Sequence, residues 1–106
     1  MPYRVIFAPE ALEQLAALYS YIAGAASPEI AARYTDAVVE HCERLQAFSE
    51  VGNRRDDVRP GLRITNHKKR AVIAFAVDDL ARQVSIIGVY YGGQDYEAIL
   101  SPDGVD

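Results

Sequence analysis

The chain has 106 residues, half of them hydrophobic and a quarter charged, and a formal net charge of −4. This length predicts one domain of about 100–150 residues, and the composition excludes an intrinsically disordered protein. No apolar run approaches the ~20 residues of a membrane span, and the N-terminus lacks the basic and apolar regions of a secretory signal. We therefore expect a cytoplasmic protein without a membrane segment.

The first predicted elements are a short strand and a helix. Arg4–Phe7 is β-branched and aromatic, which is typical of a strand. Pro9 suits the first position of a helix, and Glu10 complements the positive end of the helix dipole. This helix should end at Gly24. Its predicted core-facing stripe consists of Leu12, Leu15, Ala16, Tyr19, Ile22 and Ala23.

A second helix is predicted from Ser27, which can cap it, followed by Pro28 at its first turn. It should run for about five turns and stop at Gly52-Asn53. Its predicted apolar stripe consists of Ile30, Tyr34, Val38, Cys42 (or His41), Leu45 and Phe48. Two such helices joined by a short loop favour an antiparallel hairpin that covers a sheet.

Three strands should follow, at 62–66, 71–77 and 83–91, with a turn at Asp78-Asp79. The second is almost continuously apolar, which predicts a central strand. The first strand of the chain can join the edge of this meander. The fold class is therefore α+β, with a two-helix hairpin on a small, mainly antiparallel sheet in the order β-α-α-β-β-β. We place this single domain at residues 1–100 and treat 101–106 as a C-terminal tail.

Few side chains could carry catalysis. The sequence has no glycine-rich phosphate loop and no Gly-x-Ser-x-Gly, Cys-x-x-Cys or His-x-x-x-His motif. His41 lies at or beside the apolar stripe of the second helix, which favours a structural histidine, and Cys42 favours a core position. With His67 they are too few for a zinc site. We therefore predict no catalytic residue, no metal and no cofactor.

Basic residues are concentrated in 54–70, which holds seven of the eleven Lys and Arg residues. The run His67-Lys68-Lys69-Arg70 should lie at a turn or an exposed strand end. It is either a solvated hairpin or, with Arg54, Arg55, Arg59 and Arg63, a patch that docks an anionic surface. Tyr90 and Tyr91 are adjacent in the last strand, so their rings should point to opposite faces, one into the core and the other to the surface or a partner.

Several segments, taken in order, resemble a known family. They are Phe7–Leu15, Tyr19–Ala23, Arg44-Leu45, Gly52–Arg55, Pro60–Arg63, His67–Ile73 and Ile86–Gly92. In order and spacing they resemble the ParE branch of the ParE/RelE toxin superfamily, over about residues 3–100. The resemblance implies the RelE/ParE-like version of the fold predicted above.

The resemblance also implies a function. It predicts the toxin of a type II toxin–antitoxin system of the plasmid-stabilisation kind, which acts by binding DNA gyrase rather than by chemistry. A ParD-like antitoxin should bind and neutralise it in a hetero-oligomer, and operator DNA should be contacted only through that antitoxin. The candidate target-binding residues are Arg63, His67, Lys68, Lys69, Arg70 and Tyr91.

Two alternatives stay open. The first is a RelE-like, ribosome-dependent endoribonuclease in which Arg63 and Lys68–Arg70 hold the phosphate while Tyr90 or Tyr91 assists. The second is an inactive remnant that serves only as a partner or co-repressor of the antitoxin. The chain departs from the family pattern at Phe75-Ala76, Gly88, Tyr91, Gly93 and Gln94, where arginines and a histidine are usual. These departures weigh against the ribonuclease and are the support for the remnant.

Overall fold

A five-stranded sheet carries two long helices on one face. The computed structural model describes residues 3–47, 51–68, 70–91 and 94–100. The strands are β1 (Arg4–Phe7), β2 (Asn53–Arg54), β3 (Leu62–His67), β4 (Ala71–Asp78) and β5 (Gln83–Tyr91). The helices are α1 (Pro9–Ala25), α2 (Pro28–Glu43) and α3 (Tyr96–Leu100), and a 3-10 turn at Arg44–Gln46 follows α2.

The strand order in the sheet is β1-β5-β4-β3-β2. β1 is parallel to β5, and the other three pairs are antiparallel. β4 is the central strand, as its apolar run predicts, and β1 joins an edge. The α+β class and the order of the long elements are therefore confirmed.

The start of α2 agrees with the sequence, whereas its end does not. The Ser27 hydroxyl accepts a hydrogen bond from the Ile30 N–H at 3.1 Å, which is the expected cap. The regular helix stops at Glu43, not at Gly52-Asn53. Asn53–Arg54 instead forms β2, which pairs with β3. This pairing satisfies backbone groups of β3 that would be unpaired if β3 were the edge strand. Phe48 lies outside the described residues.

The core-facing stripe of α1 was predicted partly wrongly. Its buried residues are Ala11, Leu15 and Leu18, while Leu12 is 54% exposed and Tyr19 is 39% exposed. The same correction applies to α2, where Ile30 is 48% exposed and Ala31 is buried. Apolar residues cover more than one face of α1, so two different stripes have helical spacing and the spacing alone does not tell which one is buried.

The main core lies between the helices and the sheet. From the helices it receives Ala11, Leu15, Leu18, Val38, Cys42 and Leu45, and from the strands Ala71, Ile73, Phe75, Val84, Ile86 and Val89. α1 packs on β5, α2 packs on α1, and the 3-10 turn packs against β1 and β5. The helices therefore lie over the β1–β5–β4 side of the sheet, and the main packing of this face does not extend to β2.

A second, smaller cluster lies on the opposite face of the sheet. It contains Val58, Leu62, Ile64, Ala74, Tyr90 and Leu100. α3, which the sequence analysis did not predict, covers it. Arg55 donates to the hydroxyl of Tyr96 at 2.8 Å and also pairs with Glu97, while Arg59 donates to the Leu100 carbonyl at 3.1 Å.

Candidate target-binding surface

The structure divides the basic segment of 54–70 into three parts. Arg55 and Arg59 hold α3 on the far face, so they do not join a patch with the other cations as the sequence suggested. Arg54 and Arg63 lie together at the β2–β3 end of the sheet. The remaining described cations, Lys68 and Arg70, lie in the β3–β4 turn, and Lys69 lies outside the described residues.

Arg63 faces the helix side of the sheet, beyond the helices. It pairs with Phe75 of the main core on one side and with Arg54 on the other. The two arginines line a cavity of about 150 Å³ together with Gly61, Val77 and Asp79. This cavity lies on the part of the face where β2 and β3 extend past the hairpin.

A carboxylate already balances part of this charge. Asp56 accepts the Gly61 N–H at 2.8 Å and lies 3.2 Å from the Arg54 guanidinium. The Gly61 hydrogen bond first, and then Arg54 and Arg63, hold the pKa of the Asp56 carboxyl below its usual range. The Arg54–Asp56 pair is exposed on both sides, and such pairs contribute little to stability. An anionic partner can therefore replace the carboxylate at small cost.

The β3–β4 turn displays the other cations at the opposite end of β3. His67 pairs with Ala71 across the turn, and the Arg70 N–H donates to the His67 carbonyl at 3.1 Å. Lys68 has φ 51°, in the left-handed region that favours glycine. Lys68 and Arg70 are exposed. Lys68 follows Arg63 by five positions along β3 and into the turn, a distance of about 17 Å.

His67 does not belong to the exposed turn in which the sequence analysis placed it. It is 5% exposed and faces α2, because alternation along β3 turns it to the same side as Arg63. Its Nδ1 lies 3.0 Å from the Nδ1 of His41. Burial, with the neighbouring cation Arg44, lowers the pKa of His41, and burial, with His41 and Lys68, lowers that of His67. Both rings are therefore neutral at pH 7 and add no charge to the surface.

The two tyrosines of β5 point to opposite faces, as the sequence predicts. Tyr90 is buried on the far face, and Tyr91 is partly buried on the helix side against Tyr21, with ring centroids 5.6 Å apart. Ala71 pairs with both Tyr91 and His67, so Tyr91 lies in the row of the sheet next to the basic turn. The candidate residues Tyr91, Lys68 and Arg70 are thus at one end of the sheet.

Chemistry at a thiol or a metal has little basis in the described residues. Cys42 is fully buried, and burial raises the pKa of its thiol to about 12, so it is not a nucleophile at neutral pH. Within 3–47, 51–68, 70–91 and 94–100, no three His, Cys, Asp or Glu side chains converge as metal ligands would. Over the same residues, no helix has the length and hydropathy to cross a bilayer.

A second surface was missed by the sequence analysis. Leu12, Ala16 and Tyr19 recur at helical spacing and are all exposed, so α1 has an apolar stripe on its outer side. The alternative core stripe Ala11, Leu15, Leu18 was readable from the same periodicity and would have identified Leu12 and Tyr19 as surface residues. Exposed apolar stripes at this spacing are typical of helix faces that pack against a protein partner.

Comparison with known proteins places this fold in a family. Residues 5–96 match the family described as the ParE toxin of the type II toxin–antitoxin system parDE. No curated protein sequence matches the chain.

Two solved structures share the fold. One, titled as the chromosomal ParDE toxin–antitoxin system from P. aeruginosa, has a TM-score of 0.73 and 21% identity over 84% of this chain and 95% of the other. The other, titled as the toxin–antitoxin complex RelBE2 from Mycobacterium tuberculosis, has a TM-score of 0.61 and 24% identity over 89% and 95%. Because the family match spans most of its length, the chain belongs to the family of ParE toxins of type II toxin–antitoxin systems.

Proposed function

We propose that the chain is a toxin that acts in the cytoplasm by binding DNA gyrase, without covalent chemistry, and that a ParD-like antitoxin neutralises it by direct binding. Membership of the ParE family supports the toxin role. The identity of the target and of the antitoxin is the proposed part.

The observation that carries target binding is the strip of cations along β3. Arg63 lies at one end, and Lys68 and Arg70 lie at the other, about 17 Å away. A chain with net charge −4 that concentrates positive charge on one strip favours an acidic or phosphate-bearing partner at that strip. We include Lys69 in the proposed contacts, because it stands between Lys68 and Arg70 in the sequence. His67 is left out, because it is buried.

The outer stripe of α1 supports a protein partner. Leu12 and Tyr19 are exposed apolar anchors about two turns apart, which an amphipathic segment can cover. Both solved relatives are titled as toxin–antitoxin systems. A bound antitoxin would make this chain part of a hetero-oligomer, and operator DNA would be contacted by the antitoxin.

The far face supports binding rather than RNA cleavage. Tyr90, one of the two tyrosines that could assist a ribonuclease, is buried on this face and folds back over Gly88. α3 closes this cluster from outside. A ribonuclease needs accessible proton donors and acceptors placed at the scissile phosphate.

The test is viable count after induction of the chain in a bacterial host, alone and with the adjacent upstream gene. Killing that the neighbour rescues is expected, as is inhibition of DNA supercoiling by the purified chain. The triple variant Lys68→Ala, Lys69→Ala, Arg70→Ala should lose toxicity while it still binds the antitoxin.

Arg82→Ala is the matched control, because Arg82 is an exposed cation with φ 52° in the turn at the opposite end of the sheet. It should remain toxic. Full toxicity of the triple variant would remove the turn from the mechanism. Messenger RNA cleaved within minutes of induction would establish the ribonuclease, and harmless expression in both conditions would favour the remnant.

A further inference from the structure

We infer that His41 and His67 form a positioning pair that fixes the basic turn, described at Lys68 and Arg70, against α2, and that protonation of both rings releases the turn. The pairing is a property of the fold. Its effect on target binding rests on the proposed function.

The geometry of the pair is that of one hydrogen bond between two imidazoles. The two Nδ1 atoms are 3.0 Å apart and the ring centroids 5.2 Å apart. Tyr34 lies edge-on to the ring of His67, with centroids 5.6 Å apart. Two side chains of α2, those of His41 and Tyr34, therefore hold His67. Through them this helix contacts the end of β3.

The hydrogen bond requires a particular protonation state. A bond between two Nδ1 atoms needs one ring to donate and the other to accept, so at most one of the rings can be cationic. When both are protonated, two N–H donors face each other at the same distance and the bond is lost. The pair is thus intact at neutral pH and broken in acid.

The neighbouring groups disfavour protonation of either histidine. Arg44 from the 3-10 turn acts on both histidines, and Lys68 from the basic turn acts on His67. Arg70 acts on Tyr34, whose neutral hydroxyl completes the cluster. The Nε2 of His67 and the hydroxyl of Tyr34 are buried and find no hydrogen-bond partner among the described residues. A charge on His67 would therefore be buried, uncompensated and next to other cations.

The pair is coupled directly to the turn through the backbone. His67 is the last residue of β3, and its carbonyl accepts the Arg70 N–H that closes the turn. The next residue, Lys68, occupies the left-handed region, which costs a side-chain-bearing residue free energy and must be imposed by its surroundings. Fixing the His67 ring against α2 imposes it.

The experiment is an NMR titration of the full chain from pH 8 to pH 5. The chain contains two histidines, so both imidazoles can be followed by their ring protons. We expect both to titrate below pH 6.5 in two steps, and the amides of Lys68, Arg70 and Ala71 to shift with the second step, because a single proton leaves the hydrogen bond in place. Amides of the turn at 79–82 serve as the internal reference, and their chemical shifts should not change over that pH range. The inference would be overturned if the two histidines titrated independently at about 6.5, the pKa of an unperturbed imidazole, and the amide chemical shifts of Lys68 and Arg70 did not change.

Two variants separate positioning from mere packing. His41→Asn places an amide near the former Nδ1, so it should keep the bond to His67, keep the turn amides unchanged at pH 7.5 and remove the titration of position 41. His41→Leu removes the bond and should shift the turn amides at pH 7.5. If His41→Leu lowered thermal stability but left the Lys68 and Arg70 amides unmoved, the pair would be packing only and the inference would fail.

Binding to purified DNA gyrase at pH 7.5 then tests the functional consequence. His41→Asn should bind within about twofold of the unmodified chain, and His41→Leu should bind about fivefold more weakly, as expected when one neutral hydrogen bond no longer preorganises the turn. Equal binding by both variants, with displaced turn amides in His41→Leu, would overturn the functional link. No gyrase binding by the unmodified chain would refute the proposed target, while the NMR results would still decide the pairing.

Discussion

Two leucines on α1 allow a direct test of how this helix is oriented. Leu12 and Leu15 are less than one turn apart, but Leu12 is 54% exposed and Leu15 is 8% exposed. Leu15→Ala opens a cavity in the main core, and such substitutions cost about 2–5 kcal/mol. Leu12→Ala loses at most about half of the ~1.5–3 kcal/mol that full burial of a leucine contributes, so at most about 1.5 kcal/mol.

The assay is urea denaturation, with thermal unfolding as a second measure. For a domain of about 100 residues, 1 kcal/mol corresponds to roughly 4–8 °C in Tm, so Leu15→Ala should lower Tm by roughly 12–24 °C for a loss of about 3 kcal/mol. Leu12→Ala should lower Tm by at most about half as much. Similar losses for the two variants would refute the orientation of α1 and, with it, the exposed stripe.

The same pair of positions tests the antitoxin surface. Leu12→Asp should leave the chain folded, because the carboxylate lies in water, but it should weaken antitoxin binding by placing a charge in an apolar contact. Glu13→Ala is a control on the exposed side of the same turn and should bind as the unmodified chain does. Undiminished binding by Leu12→Asp would exclude the α1 stripe from the interface.

Three further outcomes are expected. Gly88→Ala should destabilise the fold by about 1–3 kcal/mol in thermal unfolding, because a Cβ there would lie 2.5 Å from the buried Tyr90 hydroxyl, and Tyr90→Leu in the same chain should recover part of the loss. Lys68→Gly should raise the free energy of unfolding by about 0.5–1 kcal/mol in urea, since φ 51° suits glycine, whereas Lys68→Ala should not. The folded-state pKa values of His41 and His67 are lowered, so the unfolded chain binds more protons below pH 6.5. Stability should therefore be full above that pH and fall on acidification, by at most about 1.4 kcal/mol per pH unit for each histidine, and urea midpoints at pH 7.5 and 5.5 that coincide would contradict this.

The sequence by itself determined the long elements and their order. Capping by Ser27, the prolines at the start of both helices and the nearly continuous apolar run of β4 act within a few residues, so they can be read without knowing the rest of the chain. The same local signals fixed the fold class and the opposite directions of Tyr90 and Tyr91.

Elements that depend on pairing with distant residues could not be predicted from the sequence. β2 has two residues and exists because β3 offers it an edge. α3 has five residues and is held in place by Arg55 and Arg59, about 40 positions earlier in the chain. Short segments lack a periodic signal of their own and are stabilised by tertiary contacts.

The site was decided by the tertiary structure. The sequence located the cations in 54–70 and the resemblance named Arg63 and the turn, but the sheet determines which face each one meets. Arg63 and His67 lie on the same face of β3, but α2 covers His67 and leaves Arg63 beyond the hairpin, while Arg55 and Arg59 bind α3 on the opposite face. On α1, two apolar stripes compete, and packing on β5 selects the one that contains Leu15. Local spacing fixes what an element is, whereas the direction of its side chains follows from the surfaces against which it packs.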